Sequence, residues 1–220
     1  MGSYDNGNDT RKQILNTCFY QFLTNGFHET SVEDICKAAH VNRSSVYYHF
    51  HDKDNIRYEV LWELIIRCRN QALRYCPNTK NSMALAIRIL YVHLQQEPAL
   101  WKFLLDYWKD YPVYNPRSSL GAFYSLLYRG LFESIWDRSR ISSLAFASMY
   151  GHICGIHSLA SARPDRYRPD EIHKHCFETV TQIWHIPEDK AAALWDSMEA
   201  DLKNIPLDRL PDILEEGVLD

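Results

Sequence analysis

E-T-S-V-E-D-I-C-K-A-A-H-V-N-R-S-S-V-Y-Y-H-F-H-D-K, residues 29–53, holds two short helical patterns separated by a tight turn. Thr30 with Glu33, and Ser31 with Asp34, both stand at capping-box spacing, so a helix opens at one or the other. Its apolar positions Val32, Ile35, Cys36 and Ala39 recur at helical period and give it a single core face. His40-Val41 makes a short turn, and Asn42 is placed to cap a following helix. On that helix Val46 and Phe50 point inward. Arg43 and Tyr47, Ser44 and Tyr48, and Ser45 and His49 form three i,i+4 pairs around the outside. Two short helices joined by a tight turn, the second polar on its outer face, make a helix-turn-helix. Arg can fork onto guanine, Ser and Tyr can bond bases or phosphates, and His and Lys can meet phosphate. No acid occurs from Ile35 to His51, although the first 62 residues carry six Lys+Arg against eight Asp+Glu. The neutral-to-basic surface is therefore confined to this element. The plainer alternative is a small helical hairpin whose Tyr and His are ordinary surface residues.

N-terminal to this stretch, a first helix is expected to start near Asp9 or Thr10, where Thr10 and Gln13 have capping spacing, and residues 1–8 read as a disordered tail. Its stripe is Ile14, Leu15, Cys18, Phe19, Phe22 and Leu23. Asn25-Gly26 ends it, with Gly taking the left-handed conformation and Phe27 folding back onto the last turn. A fourth helix is expected over 53–75, stopping before Pro77. Further helical stretches fall near 82–96, 98–109, 118–138, 142–162, 170–185 and 188–203, separated by prolines. The expected fold class is therefore all-α. A three-helix helix-turn-helix domain over residues 9–54 is followed by a larger helical domain over 55–220.

The span from about Arg11 to Leu61 closely resembles the N-terminal domain of the TetR/AcrR family of transcriptional regulators. The matching features are the first helix ending in N-G-F, then T-S-V-E-D-I, A-A-x-V, the block S-S-V-Y-Y-H-F, and Lys53 opening the next helix. The resemblance covers about the first quarter of the chain. It implies an all-α homodimeric repressor with a variable C-terminal effector-binding domain. Carried over by position, it makes Arg43, Ser44 and Tyr47 candidates for reading bases. Ser31, Ser45, Tyr48, His49 and Lys53 become candidates for phosphate or positioning contacts. One departure stands out, because the family usually has Gly in the turn where this chain has His40. His is among the residues that tolerate a left-handed turn position.

Beyond the fourth helix the reading rests on residue chemistry. The middle is rich in aromatics, which at helical spacing are first of all core. A ligand cavity lined by aromatics with a few polar groups is the functional alternative. His93, Tyr107, Tyr128, Trp136, Tyr150 and His152 join apolar bodies to hydrogen-bonding tips, and are the effector-pocket candidates. Residues 141–162 contain no Lys, Arg, Asp or Glu, yet five Ser, two His and two Gly make them too polar for a membrane span. Within them Ala147, Gly151 and Gly155 are spaced by four, a smooth strip suited to close helix packing. That contact is either internal or a dimer seam, which would match where the family usually dimerises. In the seam reading, Phe177, Val180 and Trp184 on the following helix supply the bulk the strip receives. A lone recognition helix reads few base pairs, whereas a dimer sets two helices on half-sites about 34–36 Å apart.

Other classes are set aside on residue pattern. A net charge of −4 excludes binding nucleic acid by bulk charge. Six Cys with no C-x-x-C pair suggest reduced, buried thiols rather than a disulfide framework. Cys154 with His157, and His173-Lys-His175-Cys176, lack paired ligand motifs, so no metal is expected and no cofactor is called for. There is no G-x-S-x-G, P-loop or G-x-G-x-x-G, so an enzyme is not expected. The opening Met-Gly-Ser-Tyr-Asp-Asn-Gly-Asn-Asp has no basic-then-apolar pattern, so no secretory signal is expected and the chain should be cytoplasmic. The expectation is a ligand-responsive repressor that binds a palindromic operator in double-stranded DNA as a homodimer, with a small apolar or aromatic effector. The rival is a helical small-molecule-binding or enzymatic protein with a vestigial helix-turn-helix, against which Arg43, Tyr47, Tyr48 and Lys53 argue.

Overall fold

The structure, a computed structural model, describes residues 3–110 and 143–207, and every regular element among the described residues is an α-helix. In chain order these are α1 (Ser3–Thr24), α2 (Val32–Ala38), α3 (Arg43–His49), α4 (Lys53–Tyr75), α5 (Ser82–Gln96), α6 (Pro98–Asp110), α7 (Ser143–Ala162), α8 (Pro169–Ile183) and α9 (Glu188–Leu202). The chain divides into two compact units, Met1–Leu64 and Ile65–Asp220, with the division inside α4. The all-α class is as expected. The helix expected over 118–138 lies outside the described residues. The start of α1 is a correction, since the helix begins at Ser3 rather than near Asp9, and residues 3–8 are helical rather than a disordered tail. Sequence periodicity registers only the apolar stripe, which starts at Ile14, whereas the backbone ladder needs no apolar face to extend.

In the N-terminal unit Ile14, Leu15, Cys18, Phe19 and Phe22 of α1 are buried with Ile35, Ala39, Val46, Phe50 and Ile56. Gly26 has φ +93°, and its N–H donates to the Phe22 carbonyl at 3.1 Å. The chain reverses there, and the Phe27 ring returns to lie edge-on to Phe22 at 5.2 Å. Of the two possible starts for α2 the structure takes Ser31. Its hydroxyl accepts from the Asp34 N–H at 3.1 Å, and the Asp34 carboxylate accepts from the Ser31 N–H at 3.0 Å, a complete capping box. Thr30 is instead fully buried and donates to the Gly26 carbonyl at 2.8 Å, bracing the reversal. The turn between α2 and α3 places His40 at φ +50°, the left-handed position that the sequence comparison with glycine had implied.

In the C-terminal unit α5 is the hub, packing against α6, α8 and α9, while α7 packs against α6 and α8. Nearly every residue of α5 from Ala84 to Leu94 is buried, including Arg88. That guanidinium bonds Asp170 of α8 at 2.7 Å and Glu199 of α9 at 2.5 Å, so one cation joins three helices. Trp101, Phe103, Tyr107 and Trp108 of α6 close the core with Met149, Tyr150 and Ile153 of α7. Cys68, Cys154 and Cys176 are free and buried here, and burial pushes the Cys68 and Cys176 thiols up to about 12 and Cys154 to about 11. They are unreactive packing residues. Among the described residues no helix is long and apolar enough to cross a membrane.

Candidate nucleic-acid interface

α3 is short, and its orientation is set by two buried anchors. Asn42 caps it, the side-chain oxygen accepting from the Ser45 N–H at 2.8 Å. Val46 and Phe50 then fasten it to the core, each about 1% exposed, and the Arg11 guanidinium lies 5.4 Å from the Phe50 ring centroid. The face opposite these anchors is open. Arg43 and Ser44 are exposed, Tyr47 is 44% and Tyr48 84% exposed, and Ser45 and His49 are half-buried. A large aromatic left almost wholly in water, as Tyr48 is, is unusual in a soluble domain, while its neighbour Tyr47 stands beside the Arg43 guanidinium.

Two of the predicted contacts have further employment. The Lys53 ammonium donates to the carbonyls of Phe27 at 2.9 Å and Thr30 at 3.0 Å, and sits 4.4 Å from the Phe27 ring centroid. It closes the α1–α2 connection onto the start of α4, and burial lowers its pKa, with Asp54 offsetting part of that. Ser31 spends its hydroxyl on the capping box. Arg43 also has a partner that spacing did not reveal. Its Nη1 donates to Glu33 of α2 at 2.8 Å, and its Nη2 to the Tyr47 hydroxyl at 3.4 Å. Glu33 and Arg43 are ten residues apart across a turn. A contact between helices follows from their crossing, which one-dimensional periodicity does not contain.

The expected effector-pocket residues within the description all belong to the C-terminal unit. His93, Tyr107 and Tyr150 are buried and His152 is half-buried, while Tyr128 and Trp136 lie outside the described residues. His93 is fully buried, and among the described residues neither ring nitrogen is hydrogen-bonded. His157, set aside as a metal ligand, joins a hydrogen-bonded pair instead. Its Nδ1 faces the Ile153 carbonyl at 2.8 Å and must carry the proton, so Nε2 accepts from the Tyr91 hydroxyl at 2.8 Å. Among the described residues no three His, Cys, Asp or Glu side chains are grouped for a metal ion.

Of the expected seam, Ala147, Gly151 and Gly155 are exposed, and a Cβ on either glycine would meet nothing within 4 Å among the described residues. Phe177, Val180 and Trp184 do not face outward beside them, which corrects the expectation that they fill the strip. They are 8%, 1% and 5% exposed, consumed in the unit's own core. Helical spacing showed that they share a face but not which neighbour that face meets.

Residues 14–60 match the family model "Bacterial regulatory proteins, tetR family". The N-terminal unit thus carries a TetR-family helix-turn-helix domain over these residues. The "HTH-type transcriptional regulator AcrR" of Shigella flexneri is 41% identical over 56 residues, 26% of this chain and 26% of that protein. The "Probable acrEF/envCD operon repressor" of Escherichia coli K12 is 29% identical over 102 residues, 43% of this chain and 46% of that protein. The matches thus span about a quarter of the first relative and under half of the second. Among solved structures, NalD, the secondary repressor of the MexAB-OprM multidrug efflux pump in Pseudomonas aeruginosa, aligns over 81% of this chain and 96% of that one. Its TM-score is 0.45 at 21% identity, too distant a likeness to carry anything to this chain.

Proposed function

We propose that this protein is a ligand-responsive transcriptional repressor that binds a palindromic operator as a homodimer in the cytoplasm. The observation that carries the reading is the outer face of α3. Arg43, Ser44, Tyr47 and Tyr48 are presented to solvent by a helix whose other side is locked down by Val46 and Phe50. Guanidinium, hydroxyl and aromatic groups on one exposed face suit base edges and phosphates. Selection of bound duplexes from a random DNA pool tests it directly, with a palindromic winner expected. Arg43→Ala should then cost about 1–3 kcal/mol of discrimination at one base position of each half-site. Lys53→Ala should weaken all duplexes alike and reduce the salt slope by about 1, with some loss of stability from the freed carbonyls. Gel-shift titrations at two salt concentrations separate the two. If neither substitution changes binding, α3 is not the reading helix.

The dimer is proposed to form on α7 through Ala147, Gly151 and Gly155, which support the reading because they lie exposed on an uncharged helix. Since nothing lies near Gly151 among the described residues, Gly151→Leu should leave the single chain folded. It should shift sedimentation toward monomer and lower operator affinity with it. A variant that stays dimeric and binds DNA normally would move the seam elsewhere. The effector is proposed to be a small apolar or aromatic molecule held in the C-terminal unit near His93, Tyr107, Tyr150 and His152. It must prefer the arrangement that does not bind DNA, since equal affinity for both states shifts nothing.

A further inference from the structure

Arg43 is held by two partners before any DNA arrives. Glu33 takes Nη1 at 2.8 Å, Tyr47 takes Nη2 at 3.4 Å, and the guanidinium carbon lies 5.6 Å from the Tyr47 ring centroid. The Arg43 and Glu33 side chains are 63% and 57% exposed, so this pair adds little to stability. Its effect is on direction. A guanidinium is a rigid fork of five N–H donors, and fixing two of its nitrogens fixes where the remaining donors point. An unrestrained arginine at a DNA surface has a nearer target than a base, namely the closest phosphate, and such contacts carry no sequence information. Glu33 opposes that outcome twice over. It occupies one side of the fork, and its negative charge, beside a face otherwise free of acids from Ile35 to His51, repels phosphate.

We infer that Glu33 is a specificity-determining positioning residue, which with Tyr47 holds the Arg43 fork toward base edges and off the phosphate backbone. The inference rests on the reading that Arg43 contacts bases. The α2–α3 pair is thereby more than a scaffold, because α2 supplies the restraint that makes a cation on α3 selective.

The test measures affinities of the full chain for two duplexes, the winner of the random-pool selection and a random-sequence duplex of equal length. For Glu33→Ala the random duplex should bind more tightly while the selected one gains little, so the ratio of affinities falls by about ten-fold, the low end of what one base contact discriminates. On an Arg43→Ala background the same substitution should leave the ratio unchanged. If Glu33→Ala tightens both duplexes by one factor, Glu33 acts by bulk charge alone and the inference is overturned, while the base-reading role of Arg43 stands. If Arg43→Ala itself leaves the ratio intact, the base-reading assignment fails and the inference falls with it.

Discussion

Lowering the pH from 7 to 5 should remove about 6 kcal/mol from the stability of the C-terminal unit. Three histidines there are buried. Burial holds His93 and His157 down at about 4 and His173 at about 3, against an ordinary value of 6.5. For His157 the Ile153 carbonyl offsets part of the burial and His152 adds to it, and for His173 the Arg88 and His157 charges add to burial. The folded state therefore binds fewer protons than the unfolded chain between pH 6.5 and 4. Stability is complete above about 6.5 and is lost as pH falls toward the folded-state values. At pH 5 each residue contributes a loss of about 2 kcal/mol, and the three together rival the whole stability of an average domain. Urea unfolding followed by tryptophan fluorescence at the two pH values measures it. His93→Leu gives the internal control. Among the described residues neither nitrogen of that ring is hydrogen-bonded, so an apolar replacement should cost little at pH 7 and shrink the acid loss by about 2 kcal/mol. A urea midpoint that does not move between pH 7 and 5 would show that these rings are hydrated.

Phe50→Ala should cost the N-terminal unit about 3–5 kcal/mol, the usual range for emptying a buried aromatic site. Phe50 is 1% exposed and terminates α3, where its N–H donates to the Val46 carbonyl at 2.8 Å. It is also the ring over which Arg11 of α1 is placed, while Arg11 in turn pairs with Glu59 at 2.8 Å. Removing the ring takes away one of the two anchors of α3, so DNA binding should disappear together with the stability. Tyr48→Ala is the contrast. That ring is 84% exposed, so its loss should leave the melting temperature within experimental error while changing DNA affinity. Thermal unfolding of both variants, paired with titration of the selected duplex, distinguishes an anchor from a contact. Equal stability for Phe50→Ala and wild type would refute the packing assigned to α3.

Features that depend on near neighbours along the chain were legible in the residues alone. Gly26 could be assigned a left-handed φ, Asn42 a capping role and Val46 with Phe50 an inward face, because each follows from interactions within a turn or two. The bounds of α4 and α5 were legible for the same reason, set by Pro77, Pro98 and an unbroken period between them. The recognition face was legible because exposed Arg and Tyr at i,i+4 alternate with a buried pair. Features that depend on distant elements meeting came from the fold. Glu33 finds Arg43 across the α2–α3 turn, and Lys53 is drawn onto the Phe27 and Thr30 carbonyls. Arg88 gathers acids from two helices far along the chain. Phe177, Val180 and Trp184 show the division most clearly. Their shared face was written in their spacing, but whether that face met water, a second copy or their own core depended on which helix lay opposite. Burial is a property of a helix's neighbours, and neighbours are chosen by the fold.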